Sequence, residues 1–360
     1  MGTLMKHKNI LITGGAGFVG SNLAVRLKER YPEANVLALD NLKRRGAELN
    51  LPRLEKTGVK FIHGDIRNKE DLNFSEIDLL IECSAEPSVM AGVDSPPEYL
   101  LQTNLVGAIN CFELARKNKA DVIFLSTSRI YPIAKLNSLR FIEEKTRFSL
   151  TKNQVIEGAS EKGISEKFPL DGVRSLYGAT KLAAELILQE YIENYGIKGV
   201  INRCGVITGP WQMGKVDQGV VVLWLSRHVF RKNLSYLGYD GKGKQVRDFI
   251  HIDDLFDLLE IQINNIDQFS GEIYNIGGGA TKSFSLLELT GYCQKITGHK
   301  IKITPVKEER KGDVRIYITD TAKINQVTAW KPKISLEETL KEIYRWIVDN
   351  PSELRRILTP

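Results

Sequence analysis

Short apolar runs recur along the first 125 residues and alternate with longer stretches whose apolar residues follow a helical spacing. This alternation predicts β-α-β units, in which helices join parallel strands. The stretch 175–195, which contains KLAAELILQEY, predicts a long helix, and 199–202 predicts a further strand. The expected fold class is α/β, with a doubly wound parallel sheet. The predicted strands in this region are 10–12, 36–39, 59–62, 79–83 and 122–125.

The pattern becomes mixed near residue 206. Beyond it lie Gly-rich turns such as GYDGKGKQ, short strands and three predicted helices, among them 286–296 and 336–348. We therefore expect a main domain at 1–205 and a smaller mixed α/β lobe at 206–360, some elements of which return to the first sheet. The segment 132–174 is polar and has little apolar periodicity. It is too long for an ordinary connection, which predicts an insert bordering the active site.

The charge balance is mildly basic, with 50 Lys and Arg against 44 Asp and Glu and a formal charge of +6. Such an excess suits an anionic substrate, and it does not indicate a nucleic-acid partner. The four cysteines are widely scattered and predict neither a zinc site nor a disulfide framework. The longest apolar run, 220–225, is too short to span a bilayer, and 1–8 lacks a signal-peptide pattern. We expect a soluble, cytoplasmic protein with no membrane partner.

The segment ITGGAGFVG holds glycines at 14, 17 and 20, between a predicted strand and a predicted helix. Glycines in this setting allow a tight turn, and the helix N-terminus offers free N–H groups to a pyrophosphate. Asp40 follows Gly20 by twenty residues, at the end of the second predicted strand, where a carboxylate accepts hydrogen bonds from a ribose. These features predict a Rossmann site for NAD. The basic run 43–45 would suit the extra phosphate of NADP, so that cofactor stays an alternative.

Tyr177 and Lys181 stand four positions apart in SLYGATK. On a helix this spacing puts both side chains on one face. A free tyrosine has a pKa of about 10, and a neighbouring cation favours its phenolate form. A tyrosine held in this way is suited to take a proton from a sugar hydroxyl. The same spacing also occurs in surface helices without any chemical role.

Several ordered motifs make the chain similar to the extended short-chain dehydrogenase/reductase family, and within it to the nucleotide-sugar epimerases and dehydratases. The resemblance covers almost the whole chain. It further resembles the CDP-paratose 2-epimerase subgroup in DNLKRRGAELNL, in VDQGVVVLW from Val216 and in GKGKQVRDFIH. The family motifs are ITGGAGFVGSNL, DNL, GDIRN, NLVGAIN, STSRIYP, SLYGATK, QVRDFIHIDDL and YNIGGG.

The resemblance implies roles for individual residues. Tyr177 would be the catalytic base, Lys181 would bind the nicotinamide ribose, and the Thr127 hydroxyl would bond the reacting sugar oxygen. Asp65 and Ile66 would contact adenine, while Asn104 and the Ala85 region would line the path to the nicotinamide. The remaining expected positions are Gly14, Gly17, Phe18, Val19, Gly20, Asp40 and Asn41 for the cofactor, and Arg247 and Arg310 for the substrate diphosphate.

The residues after Thr127 bear on the reaction. Related 4,6-dehydratases carry acidic residues there for the elimination of water, whereas this chain has Ser128 and Arg129. Epimerisation of a nucleotide-diphosphate sugar is therefore favoured, with NAD as a redox-neutral cofactor. Glu82 stands where relatives usually carry histidine.

Other functions remain open at this stage. The main competing enzyme is a UDP-sugar 4-epimerase, followed by a nucleotide-sugar reductase or dehydratase, and a non-enzymatic NAD-binding sensor or scaffold is a further alternative. No metal is expected, because the acids of RDFIHIDDL are suited to fixing a turn and capping a helix. The resemblance implies a homo-oligomer, with its interface formed by the helices predicted at 98–117 and 175–195. Packing within a monomer would explain the apolar faces of these helices equally well.

Overall fold

The computed structural model describes residues 5–93, 95–214 and 218–359. Val216 and Asp217 of the VDQGVVVLW motif lie outside them. The chain divides into two compact units, each built from separate segments. The first comprises the residues up to Thr127 together with Leu176–Arg203 and Phe256–Ile273. The second comprises Ser128–Ser175, Cys204–Leu255 and the residues from Tyr274 onward, so it includes the segment 132–174.

The strands and helices follow in chain order. The strands are β1 (Asn9–Thr13), β2 (Asn35–Asp40), β3 (Lys60–His63), β4 (Leu79–Glu82), β5 (Asp121–Thr127), β6 (Phe141–Glu143), β7 (Phe148–Leu150), β8 (Ala159–Ser160), β9 (Gly163–Ile164), β10 (Gly199–Cys204), β11 (Val206–Thr208), β12 (Leu234–Leu237), β13 (Val246–His251), β14 (Ile273–Ile276), β15 (Ser283–Ser285), β16 (Ile303–Val306) and β17 (Ile316–Tyr317). The helices are α1 (Phe18–Arg30), α2 (Leu51–Thr57), α3 (Glu98–Leu101), α4 (Ala108–Asn118), α5 (Ile133–Asn137), α6 (Leu176–Tyr195), α7 (Val220–Val229), α8 (Ile252–Asn264), α9 (Ile266–Phe269), α10 (Leu286–Thr297), α11 (Ala322–Val327), α12 (Leu336–Asp349) and α13 (Pro351–Leu358).

A central sheet organises the first unit. Within the described chain, seven strands form it in the order β14–β10–β5–β4–β1–β2–β3, with β14 beginning at the last residue of the unit. Strand β1 pairs in parallel with β2 and β4, β2 with β3, and β4 with β5. The order reverses direction at β1, which is the crevice where doubly wound sheets bind ligands. The expected α/β class, a Rossmann-type doubly wound sheet, is confirmed.

Apolar side chains from strands and helices fill the core of this unit. Buried residues of the strands, such as Leu11, Leu80 and Phe124, cluster with Phe112 of α4 and Leu188 of α6. Strands of a parallel sheet are covered on both faces, which explains their near-continuous apolar runs. All five strand predictions before residue 126 are confirmed, as are the strand at 199–202 and the helix ending at Tyr195.

The helix predicted at 98–117 differs from the expectation. The structure has the short α3, then a π-helical segment at Gln102–Gly107, and only then α4. A π-helical turn inserts an extra residue and shifts the faces of the flanking helices. Asn104 lies within it and is buried. Such turns are frequent at functional sites, and apolar periodicity alone does not distinguish them from an α-helix.

The second unit has several small sheets. Strands β11, β13, β15 and β17 form one of them, β12 pairs in parallel with β16, and β6–β7 and β8–β9 are antiparallel pairs. Helices α10 and α12 match the predicted helices, and each begins with a Ser-x-x-Glu capping box, at Ser285 and Ser335. Among the described residues, no helix is both long and apolar enough to cross a membrane.

Candidate functional site

The glycine turn connects β1 to α1 with very little free space. Gly14 has a φ of +65°, which favours glycine. A Cβ at Gly20 would lie 2.2 Å from the Gly14 carbonyl oxygen. Gly17 donates its N–H to the same oxygen at 3.0 Å and is the N-cap of α1. A glycine cap has no side chain that could occupy the first N–H groups of the helix, so they are available to an anion. Phe18 and Val19 are half-buried in the first helical turn.

Asp40 ends β2 beside this turn. Its carboxylate accepts hydrogen bonds from the backbone N–H of Ala16 at 3.1 Å and of Leu42 at 2.8 Å. Burial raises the pKa of Asp40, and backbone hydrogen bonds, led by that from Leu42, oppose the shift. The carboxylate thus joins the end of β2 to the glycine turn. Its half-buried position also fits a group that accepts hydrogen bonds from a ribose.

The residues expected around adenine lie after β3. Asp65 accepts a hydrogen bond from Asn41 at 2.9 Å and pairs with Arg67 at 2.7 Å. Burial alone would raise the pKa of Asp65, but the bonds from Arg67 and Asn41 outweigh it and lower the pKa to about 2. The Ile66 side chain is 4% exposed and belongs to the core. Ile66 can therefore offer adenine mainly its backbone, which sequence alone did not indicate.

Asn104 joins the loop after β4 to helix α6. Its side chain accepts the N–H of Glu86 at 2.8 Å and donates to the Glu86 carbonyl at 3.1 Å. It also lies 3.4 Å from the hydroxyl of Thr180. Ala85, directly before Glu86, is half-buried in the same loop. The sequence analysis did not single out Glu86 and Thr180, although Thr180 lies inside the SLYGATK motif.

Thr127, Tyr177 and Lys181 all belong to the first unit. Thr127 is the last residue of β5 and is buried, Tyr177 is half-buried in the first turn of α6, and Lys181 follows one turn later at 2% exposure. The Lys181 ammonium lies 3.2 Å from Oε2 of Glu82 and 4.0 Å from the centre of the Phe124 ring. The lysine is therefore held against the sheet by a buried carboxylate and an aromatic face.

A second buried ion pair lies one turn further along α6. Glu185 is fully buried and receives hydrogen bonds from Arg203 of β10, the shortest at 2.8 Å, and from the Ser126 hydroxyl of β5. Tyr177, Lys181 and Glu185 follow the i, i+4, i+8 spacing of a single helix face. That spacing is the signal by which Glu185 could have been found. Its partner on β10 has no local signal in the sequence.

Arg247 and Arg310 belong to the second unit. Arg247 of β13 pairs with Asp313 at 2.9 Å, and the N–H of Asp313 bonds the carbonyl oxygen of Arg310 at 3.1 Å. Asp313 thus links the loop of Arg310 to the side chain of Arg247. Arg129, in the position that is acidic in dehydratases, donates to the carbonyl oxygen of Gly312 at 3.2 Å. Asp313 follows Arg310 by three residues, but no local pattern in the sequence marks it as the partner of Arg247.

Two acids of RDFIHIDDL, Asp248 and Asp254, bind backbone groups. Asp248 accepts the N–H groups of Gly278 and Gly279, and Asp254 accepts those of Lys333 and Ile334, all at 2.8–3.0 Å. These contacts fix loops of the second unit. Among the described residues there is no group of three or more His, Cys, Asp or Glu side chains that could hold a metal ion.

Comparison with known proteins identifies the family. The profile of the NAD dependent epimerase/dehydratase family matches residues 10–277. CDP-paratose 2-epimerase of Salmonella typhi is 31% identical over 94% of this chain and 98% of its own length. A putative UDP-glucose 4-epimerase of Methanocaldococcus jannaschii is 30% identical, over 95% of this chain and 99% of that protein. The solved UDP-glucose 4-epimerase of Thermus thermophilus, a complex with NAD, superposes with a TM-score of 0.76 at 25% identity, covering 95% of this chain and 99% of that one.

The resemblance seen in the sequence motifs is thereby confirmed, and the tight glycine turn and the Asp40 carboxylate of this structure fit the cofactor that the family uses. The chain belongs to the NAD-dependent epimerase/dehydratase family.

Proposed function

We propose that this protein is an NAD-dependent nucleotide-sugar epimerase of the CDP-paratose 2-epimerase type. The observation that carries the proposal is the set Thr127, Tyr177 and Lys181 in one unit, at the end of β5 and on the adjoining face of α6. A hydroxyl, a phenol and an ammonium are the groups needed to move a proton on and off a sugar oxygen. Ser128 and Arg129 supply no carboxyl group for the elimination of water, which favours epimerisation over dehydration.

The residues that would hold NAD lie along one edge of the parallel sheet. The glycine turn and the N-terminus of α1 would bind the pyrophosphate, Asp40 and Asn41 the adenosine ribose, and Asp65 and Ile66 the adenine. Asn104 and the Ala85 loop would border the nicotinamide. Bound NAD supplies a hydride acceptor that becomes the donor for the return step.

Tyr177 would take the proton from the sugar hydroxyl whose carbon is oxidised. Thr127 would hold the same oxygen through its hydroxyl group, which orients it toward the phenol. Lys181 would favour the phenolate form of Tyr177 through its positive charge and would bind the nicotinamide ribose. Tyr177 would give the proton back to the same sugar oxygen when the keto sugar is reduced on its opposite face. The stereocentre is then inverted without net oxidation.

The second unit would take the nucleotide-diphosphate sugar. Arg247 and Arg310 would bind the diphosphate, because guanidinium groups form paired, charge-assisted hydrogen bonds with phosphate oxygens. Asp313 would keep Arg247 aligned through their 2.9 Å contact. A firmly held diphosphate acts as a pivot, which allows the keto sugar to turn while the reactive ketone stays bound. The segment 132–174 would border the sugar.

The second candidate is a UDP-sugar 4-epimerase. The identities to the Salmonella typhi and Methanocaldococcus jannaschii relatives, 31% and 30%, are nearly equal. The groups of the proposed site would serve C2 and C4 alike, because the pose of the sugar decides which carbon faces Tyr177. We favour the CDP-sugar on the subgroup motifs DNLKRRGAELNL and GKGKQVRDFIH.

The test is incubation of the purified protein with NAD and CDP-paratose in deuterated water, with parallel reactions on UDP-glucose and UDP-galactose. NMR should detect the C2 epimer of CDP-paratose, with no solvent deuterium at the inverted carbon because the hydride is returned directly. Tyr177→Phe is the control and should form no epimer. Turnover of the UDP-sugars alone would refute the CDP-sugar assignment, and deuterium at the inverted carbon would refute hydride return.

We further propose that the protein acts as a cytoplasmic homo-oligomer that uses α6. Leu186 and Tyr195 of this helix are 57% and 56% exposed, which leaves apolar area for a second copy to cover. Size-exclusion chromatography with light scattering should give a dimer or tetramer. Leu186→Glu should shift it toward the monomer, and a wild-type monomer at assay concentration would contradict the proposal.

A further inference from the structure

The ion pair beneath the proposed active site is almost fully buried. Glu82 is 0% exposed and Lys181 is 2% exposed, and their charged groups lie 3.2 Å apart. Glu82 ends β4, and in the sheet register it lies opposite Thr13, the residue of β1 that precedes the glycine turn. No step of the proposed reaction uses this carboxylate.

The groups around the pair provide little other charge. Cys111 of α4 lies near both residues, but burial raises the pKa of its thiol well above the ordinary value, so it stays neutral. Phe124 of β5 offers its ring face to the ammonium, and the buried hydroxyl of Thr13 lies beside Cys111. Glu185, the next acid on α6, is already bonded to Arg203. The carboxylate in direct contact with Lys181 is therefore that of Glu82.

A buried ammonium without a carboxylate tends to lose its proton, because an apolar environment disfavours the charged form. Burial likewise raises the pKa of Glu82, and the ammonium of Lys181 opposes that shift. Each member of the pair therefore stabilises the charged form of the other. This matters at Tyr177, one helical turn away, because only a charged lysine favours its phenolate.

We propose that Glu82 is a positioning residue of the reaction: its carboxylate keeps the Lys181 ammonium charged and fixed one turn from Tyr177. The role rests on the proposed function of Tyr177 as the base. Without Glu82 the buried ammonium would lose the carboxylate it contacts at 3.2 Å, its charged form would be disfavoured, and the phenol of Tyr177 would ionise only at higher pH. Glu82 also partly offsets the positive charge that Tyr177 experiences, but its direct contact with Lys181 makes loss of the lysine's proton the larger effect.

The test compares wild type and Glu82→Gln, both loaded with NAD, by tyrosinate absorbance from about pH 6 to 11. The same titration of Tyr177→Phe identifies the signal of Tyr177. The titration midpoint of Tyr177 should rise by about one pH unit or more in Glu82→Gln, as it should in Lys181→Met. In the Lys181→Met background, Glu82→Gln should add no further rise, because no ammonium is left for the carboxylate to stabilise. Where epimerase activity is measurable, the pH below which Glu82→Gln loses activity should rise by the same amount, and its activity should recover at alkaline pH.

Two controls separate charge from packing. Glu82→Asp keeps a carboxylate and should titrate close to wild type, while Cys111→Ala disturbs the same cluster without changing its charge and should leave the titration unchanged. If Glu82→Gln does not fold, as judged by circular dichroism, Glu82→Met replaces it and must give the same upward shift.

An unchanged or lowered midpoint in the folded Glu82→Gln variant would overturn the proposal, and so would a further rise of the midpoint on top of Lys181→Met. The titration needs no turnover, so it decides the role of Glu82 even if the predicted sugar is not a substrate. Conversely, epimerase activity with an unmoved titration would leave the proposed function intact and reject only the role of Glu82.

Discussion

Replacing Glu185 by glutamine should destabilise the first unit strongly. Glu185 and Arg203 are 0% and 4% exposed, and the carboxylate receives hydrogen bonds from the guanidinium at 2.8, 3.0 and 3.2 Å. Glutamine keeps one acceptor oxygen and puts an amide NH₂ against the guanidinium. An arginine cannot relieve the loss by releasing its proton. The buried cation therefore stays charged at every working pH and loses the carboxylate that now faces it.

The size of the effect follows from breaking one side of a buried ion pair, which costs about 3–5 kcal/mol. The unfolding equilibrium constant should then rise by roughly two to three and a half powers of ten. With a urea dependence of about 3 kcal/mol per M, the midpoint should fall by on the order of 1 M. Changing both Glu185 and Arg203 to apolar residues should cost less than either single change, because no charge is then left unpaired.

The assay is urea unfolding of the NAD-loaded protein, followed by far-ultraviolet circular dichroism. Tryptophan fluorescence is recorded in parallel to follow unfolding of the second unit, because all four tryptophans lie there, at positions 211, 224, 330 and 346. Glu260→Gln is the matched control: it removes the carboxylate from a pair in the same unit whose Arg30 side chain is 63% exposed, and it should cost at most about 1 kcal/mol. Equal losses for Glu185→Gln and Glu260→Gln would refute the reasoning.

Three further outcomes are expected. Gly20→Ala should weaken NAD binding at least about tenfold in a fluorescence titration, because the added Cβ would lie 2.2 Å from a carbonyl oxygen. Gly291→Ala is the control and should leave binding unchanged, because a Cβ there would have no neighbour within 4 Å. Arg247→Gln should raise the KM for the nucleotide sugar about 10- to 100-fold with a smaller change in kcat, and an unchanged KM would contradict a diphosphate contact. Burial raises the pKa of Asp248 to about 6, above its value in the unfolded chain. The protonated carboxyl group therefore stabilises the folded state fully below about pH 4, and this stabilisation decreases by about 3 kcal/mol as the pH rises through 6. Asp248→Asn should remove that decrease from the urea midpoints, and an unchanged slope between pH 4 and 7 would show that another group causes it.

Local patterns predicted much of the first unit. The glycine turn, the strand before it and the helix after it are set by residues close together in the chain, and the spacing of Tyr177 and Lys181 placed them correctly on one helix face. The π-helical segment around Asn104 was missed, because the apolar spacing of 98–117 suits a continuous α-helix as well. The discontinuous units were only partly anticipated, since contacts between distant segments leave no periodic pattern.

The fold class, the family and the residue types of the proposed chemistry could be predicted from local patterns, because hydrophobic periodicity and glycine turns act over a few neighbouring residues. Which charges meet depends on contacts that form only in the folded chain. Lys181 pairs with a carboxylate 99 positions away, and Arg247 with one 66 positions away. Periodicity indicates which face of an element is buried but not which element covers it. The order of the strands brings Glu82 into contact with Lys181, and that order depends on how the whole sheet packs.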